Sequence, residues 1–253
     1  MNQLTRACVL ASAGLIAAAS AATAEEGGNL LPGEFSGNVA FYSDYSFRGV
    51  SQTSENMALQ GGIDWSHDTG IYLGLWASNV DFSDADIEQD VYGGSSGSID
   101  EVSSEIGAVF LYYPQEEELN YWEFPLNLGY DFDMFSVSAG VLFSPEYFGI
   151  LDEGVVVSGG VEVPLPLDLA GLELALDAGL GYSHAEAGTV SGEKVYLAGG
   201  TDEDYVDWQV GLTIGFPSGI GIDLRGVGTD AGGDNELGDI ADPRFVAGLS
   251  YSF

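Results

Sequence analysis

Trp122-Glu123-Phe124-Pro125-Leu126-Asn127-Leu128-Gly129-Tyr130 puts Trp122, Phe124, Leu126, Leu128 and Tyr130 on one side of an extended chain and Glu123, Asn127 and Gly129 on the other. Successive side chains of a strand point to opposite faces, so this segment carries one apolar wall and one polar wall. Its length suits a tilted strand crossing a bilayer with the apolar wall in lipid. Pro125 sits badly in such a strand. It has no N–H for a ladder, and a closed barrel has no edge to hold it, so a bulge is expected there.

The same alternation extends in both directions. Phe35, Val39, Phe41, Tyr45 and Phe47 oppose Ser36, Asn38, Asp44, Ser46 and Arg48, and Met57, Leu59, Ile63 and Trp65 oppose Gln60, Gly62, Asp64 and Ser66. Ile71, Leu73, Leu75 and Ala77 then face outward, with Tyr72, Gly74, Trp76 and Ser78 inward. A short run over 87–93 is the least regular, because Gln89 falls on its apolar face. Segment 102–112 sets Ile106, Ala108 and Phe110 against Glu101, Ser103 and Glu105, and 135–143, 155–163, 172–182, 206–216, 220–228 and 245–253 continue the pattern. The expected fold is all-β: a closed antiparallel transmembrane β-barrel of about 12 strands, an even number as this class prefers.

The connections sort by length. Those at 67–70, 131–133 and 217–219 are short, and those at 144–153, 185–203 and 230–242 are long. With both termini in the periplasm, the short set becomes periplasmic turns and the long set extracellular loops. Connections 94–99 and 164–171 are longer than ideal turns. Aromatics gather near strand ends, with Trp65, Tyr130 and Phe216 on one side and Phe47, Tyr112, Trp122, Phe143 and Tyr182 on the other, as in interfacial belts.

The amino terminus reads as an export signal. A basic stretch ending at Arg6 precedes an apolar run over 7–20, and Ala22-Thr23-Ala24 forms a small-x-small cleavage site. Residues 1–24 are thus expected to be a cleaved signal peptide, with 25–253 the outer-membrane barrel and the barrel proper over about 35–253. The single cysteine, Cys8, lies inside the signal and ahead of its apolar run, so it is no lipoprotein anchor and the mature chain has no disulfide or thiol ligand.

Five Lys and Arg residues face 40 Asp and Glu residues, a formal net charge of −35. Such a surface repels nucleic acid and anionic headgroups, which removes nucleic acid as a partner. The excess acid suits either a saline habitat or the attraction of cations.

Several stretches resemble one family. Gly37-Asn38-Val39-Ala40, Ser43-Asp44-Tyr45-Ser46-Phe47-Arg48-Gly49-Val50-Ser51, Gln60-Gly61-Gly62-Ile63-Asp64 and Gly74-Leu75-Trp76-Ala77-Ser78-Asn79-Val80-Asp81-Phe82 are similar to the opening motifs of the TorF-type porin family. Tyr112-Tyr113-Pro114, Ser144-Pro145-Glu146-Tyr147-Phe148-Gly149 and Pro164-Leu165-Pro166 follow in the family's order. The resemblance implies a Gram-negative outer-membrane barrel of about a dozen strands and adds little chemistry, since architecture alone defines that family's function. Phe245, Ala247, Leu249, Tyr251 and Phe253 share one face and end in phenylalanine. This is similar to the signal that the barrel-assembly machinery reads, and it also serves as a last lipid-facing strand.

Parity assigns the lumen. Inward carboxylates are Asp44, Asp64, Glu105, Glu123, Asp177, Asp207 and Asp223, and inward bases are Arg48, Arg225 and Arg244. Carboxylate rings favour cations, so Asp44, Glu105, Asp177, Asp207 and Asp223 are the expected selectivity residues, with Arg48, Arg225 and Arg244 setting the field. Barrel closure brings Arg48 and Arg244 to one outer end, either as a basic patch facing the acids or as partners neutralising Asp44 and Asp242. Inward glycines, among them Gly62, Gly74, Gly107, Gly140, Gly181, Gly211 and Gly248, either open the lumen or relieve curvature.

Acidic loops at 81–90, 116–118, 201–207 and 230–242 are solvated or hold divalent ions that bridge to lipopolysaccharide; 228–235 does not keep the spacing of a calcium loop. No metal ligand set or cofactor stands out. A serine hydrolase needs a base beside its hydroxyl, yet His67 lies in a turn and His184 follows Ser183, which points to the opposite face. The function expected is passive diffusion of small cationic or neutral solutes through a monomeric or weakly trimeric outer-membrane porin. The alternative is a plugged structural or adhesive barrel, favoured if Tyr72, Trp76, Tyr121 and the inward arginines fill the core.

Overall fold

The structure is a computed structural model that describes residues 32–167, 171–198, 201–232 and 237–253. The expected signal peptide lies outside the described residues, as does part of the 230–242 loop. Twelve strands form the wall: β1 (Glu34–Tyr42), β2 (Ala58–Ser66), β3 (Ile71–Phe82), β4 (Ala85–Ile99), β5 (Val102–Tyr112), β6 (Tyr121–Asp131), β7 (Ser136–Ser144), β8 (Gly154–Leu165), β9 (Glu173–Ala185), β10 (Asp204–Gly215), β11 (Ile220–Thr229) and β12 (Arg244–Ser252). Each pairs antiparallel with its neighbours in sequence, and β1 closes on β12 from Asn38↔Ser252 to Tyr42↔Gly248.

The molecule is apolar outside and polar inside. Ile106, Leu180 and Phe245 are each more than 60% exposed, while Glu88, Asp90 and Glu123 are 5% exposed or less. Water would not tolerate the first set, and an ordinary core would not tolerate the second. A bilayer around a closed sheet satisfies both, because every strand edge is paired and the apolar face meets lipid. Trp122, Phe124, Leu126, Leu128 and Tyr130 all lie on this outer face. So do Phe245, Leu249, Tyr251 and Phe253 at the carboxyl end.

The structure corrects four expectations. The first strand ends at Tyr42, and Tyr45 and Phe47, assigned to the lipid face, are buried in the lumen at 3% and 5% exposure. The run over 87–93 belongs to the longest strand, 15 residues from Ala85 to Ile99, so 94–99 is wall and the β4–β5 turn is only Asp100 and Glu101. Residues 85–90 of the supposed acidic loop at 81–90 are likewise wall. Finally, Pro125 makes no bulge. It keeps register with Leu142, and on its other side the ladder resumes unshifted from Ile106↔Leu126 to Val109↔Glu123. The register shift of the described barrel lies instead between Asn79 and Phe82, where β3 meets β4.

The inward glycines have a more specific role than either expectation. A Cβ on Gly74 or Gly248 would strike the ring of Tyr92 or Tyr42, and one on Gly107 would meet the Tyr72 hydroxyl. Gly181 and Gly211 underlie the carboxylates of Asp207 and Asp177 in the same way. Glycine on one strand lets a long polar side chain of the next lie flat along the wall.

Candidate functional site in the lumen

The outer half of the lumen is filled from within. After Tyr42 the chain turns into the barrel as a miniature hairpin, pairing Ser46↔Ser51 and Phe47↔Val50 around Arg48 and Gly49. Both turn residues have positive φ, 49° and 80°, the geometry of a tight hairpin turn of the mirror-image type. Position 49 must be glycine twice over, since a Cβ there would also meet Gly228 O and Thr229. Arginine in a left-handed conformation is uncommon, and its side chain explains the choice.

Arg48 reaches across the barrel from the hairpin tip. Its guanidinium donates to Glu123 Oε2 at 2.9 Å and to the Tyr147 hydroxyl, and it stacks 4.3 Å from the centroid of Phe47. Burial holds the Tyr147 hydroxyl pKa up at about 12. A second pair ties down the base of the hairpin: Arg244 Nε donates to Asp44, which also accepts from Thr53 Oγ1 at 2.9 Å and from Ser51. Arg244 Nη1 donates to Gly49 O at 2.9 Å. Around these pairs pack Phe47, Tyr113, Tyr121, Tyr147, Leu151 and Tyr205. Loop 145–153 supplies Tyr147 and Leu151, and the next long loop adds Leu197 and Ala198 above them.

The other half, on the side of the short turns expected to be periplasmic, differs. Tyr72 donates to Glu105, Tyr92 donates to Asp64, and Arg225 pairs with Asp223 while donating to Gln209 at 3.0 Å. Asp177 lies against Gly211, with neither carboxylate oxygen hydrogen-bonded. Tyr92 is buried and the other groups are half-buried, all on the inner face of the wall.

The residues expected to line one pore therefore split. Asp44, Arg48 and Arg244 belong to the packed plug, where Arg48 meets Glu123 and Arg244 meets Asp44. Asp44 is met by Arg244, and Asp242 offers Arg244 its backbone carbonyl. Glu105, Asp177, Asp223 and Arg225 line the periplasmic half, and Asp207 lies at the junction. Trp76 and Tyr121 do fill the core, at 7% and 2% exposure, whereas Tyr72 is half-buried. Ser183 points inward and His184 outward, as parity requires.

Glu88 and Asp90 were missed. Both point inward from β4 and are 2% and 1% exposed. Their signal was present in the spacing of Glu88, Asp90 and Tyr92 against Ile87 and Val91, but a dense run of acids reads first as a solvated loop.

The family profile of Gcw_chp, a bacterial protein of unknown function, matches residues 26–253. The chain belongs to this family. No curated protein sequence matches it. Among solved structures, a KdgM porin is similar at 13% identity and a TM-score of 0.56, covering 86% of this chain and 99% of that one. A KdgM porin in complex with disordered oligogalacturonate gives 13% identity and 0.57 over the same shares. An outer membrane channel from Pseudomonas putida F1 is 12% identical at 0.49, over 88% and 96%. At such identities the likeness to the two KdgM structures speaks for the fold alone: this Gcw_chp member shares their closed β-barrel architecture.

Proposed function

We propose that the chain is an outer-membrane channel for small solutes, cation-preferring, whose outer mouth is shut in this state by the inward hairpin at 43–57. One observation supports the preference above the rest. In the periplasmic half, Asp64, Glu105, Asp177 and Asp223 face the lumen against the single guanidinium of Arg225 among the described residues. Excess negative charge in a narrow, poorly polarisable wall attracts cations and excludes anions. The architecture is the one that resemblance to TorF-type porins implies, and the likeness to KdgM porins supports a channel over a soluble role.

The test is conductance and reversal potential of the refolded mature barrel in a planar bilayer across a potassium chloride gradient. The parent should give infrequent steps of cationic sign, and a variant with 44–56 replaced by a short turn should give frequent, larger ones. Glu105→Gln with Asp177→Asn should move the reversal potential of that open variant toward zero. Silence from a folded, hairpin-free barrel would favour a second reading, a structural or adhesive barrel. The continuous packing of the plug is the observation on that side.

A further inference from the structure

The inward carboxylates of β2, β4 and β5 climb one wall of the lumen, and strand register gives their order. Glu105 lies opposite Ser96, Asp64 shares its level with Gly74 and Tyr92, Asp90 lies opposite Trp76, and Glu88 opposite Ser78. From the periplasmic turns to the plug the sequence is Glu105, Asp64, Asp90, Glu88. Tyrosine hydroxyls cap all but one of these rungs. Tyr72 donates to Glu105, Tyr92 to Asp64, and Tyr45 at 2.8 Å together with Tyr113 to Glu88.

Asp90 is the exception. It is 1% exposed, and neither carboxylate oxygen has a hydrogen-bond partner among the described residues. Both guanidiniums of the plug are engaged elsewhere, Arg48 by Glu123 and Arg244 by Asp44. An ionised carboxylate buried without a partner is too costly to persist, so a proton or a cation must match it. A proton serves poorly here, because it would make Asp90 a hydroxyl donor with no acceptor and leave the carbonyl oxygen bare. A cation satisfies both oxygens at once.

The surroundings narrow the class. No group of three or more carboxylate or imidazole ligands converges at metal-binding distance among the described residues, which is not the cage a calcium-like ion requires. Trp76, the cross-strand partner of Asp90, presents its ring to the same interior and packs 5.5 Å from Tyr45. Aromatic faces attract weakly hydrated, singly charged cations. We infer that Asp90 is the binding site for one weakly hydrated monovalent cation of the potassium or rubidium class, at the boundary between the lined and the packed halves of the lumen. The inference rests on the channel reading only for the route by which the ion arrives. Binding itself is measurable in a barrel that conducts nothing.

The experiment is urea unfolding of the refolded mature chain in potassium chloride against tetraethylammonium chloride at equal ionic strength, for the parent and Asp90→Asn. Well above the dissociation constant, each tenfold rise in potassium should raise the parent's folding equilibrium constant roughly tenfold, the slope of one bound ion. Asp90→Asn should refold in tetraethylammonium and show no potassium response. Equal unfolding of the parent in the two salts, or an undiminished response in Asp90→Asn, overturns the site. So does an infrared carbonyl band of a protonated acid that Asp90→Asn removes at neutral pH in potassium chloride. If the variant fails to refold, rubidium-soaked crystals of the parent decide: an anomalous peak at the Asp90 carboxylate supports the site, and its absence there overturns it. A bound ion in a silent barrel would leave the channel reading to fall by itself.

Discussion

In the outer half of the lumen, Glu123 meets one guanidinium and Asp44 meets another; in the periplasmic half, Glu105 and Asp64 meet only tyrosine hydroxyls. The chain has few bases to place, and it spends two of them where the interior is driest. A buried ion pair is tolerable when it is fully hydrogen-bonded, and very costly when half of it is removed. A half-buried carboxylate can keep its charge with one neutral donor and some water. The outer half is therefore packed around two ion pairs, and the periplasmic half holds its carboxylates half-buried.

Removing a partner should break this contrast most sharply. Arg48→Ala leaves Glu123 buried without a counter-charge, at a cost of about 3–5 kcal/mol to the packed hairpin. Amide exchange across 44–56 should then accelerate by two to three orders of magnitude while the periplasmic ends of β2–β5 keep their protection. Arg48→Met combined with Glu123→Gln should recover most of the loss, which a purely steric role for Arg48 would not allow.

Alkali tests the same lock more gently. Tyr147 holds its proton up to about 12 in the folded state against 10.0 in the free side chain. Its contribution is intact below pH 10 and is lost as the pH climbs to about 12, on the order of 2 kcal/mol. Tyr147→Phe should remove that part of the fall in an unfolding titration.

The periplasmic half should answer to packing. Gly74→Ala drives a methyl into the Tyr92 ring and should cost about 1–2 kcal/mol in urea unfolding. Gly97→Ala, with open space around it, should be neutral within about 0.5 kcal/mol. Tyr72→Phe should cost about 1 kcal/mol by freeing Glu105 of its donor, and should leave hairpin exchange unchanged.

The wall was legible because lipid on one side and side-chain packing on the other force period two, and segments such as 122–130 obey it without exception. The plug was not. Tyr45 and Phe47 continue the parity of Phe35, Val39 and Phe41, so alternation alone extends the strand past Tyr42. The clue to the break was chemical: Arg48-Gly49 suits a tight mirror-image turn, and that requirement competes with alternation only when turn residues are weighed against it. Glu88 and Asp90 were hidden for the opposite reason, since composition suggested a loop where parity marked a wall. Pro125 misled because a missing N–H need not displace the chain. The ladder to β5 makes no pair at that residue and resumes in register beyond it.

The contacts that hold the hairpin span 75, 99 and 200 positions of sequence, and the longest runs to Arg244 on the final strand. Contacts so distant along the chain carry a large loop-closure cost and form late. The segment that follows the first strand thus waits for the twelfth before it can be seated. The closing of the wall and the corking of its mouth are a single event, because Arg244 opens the strand that completes the wall and anchors the base of the cork.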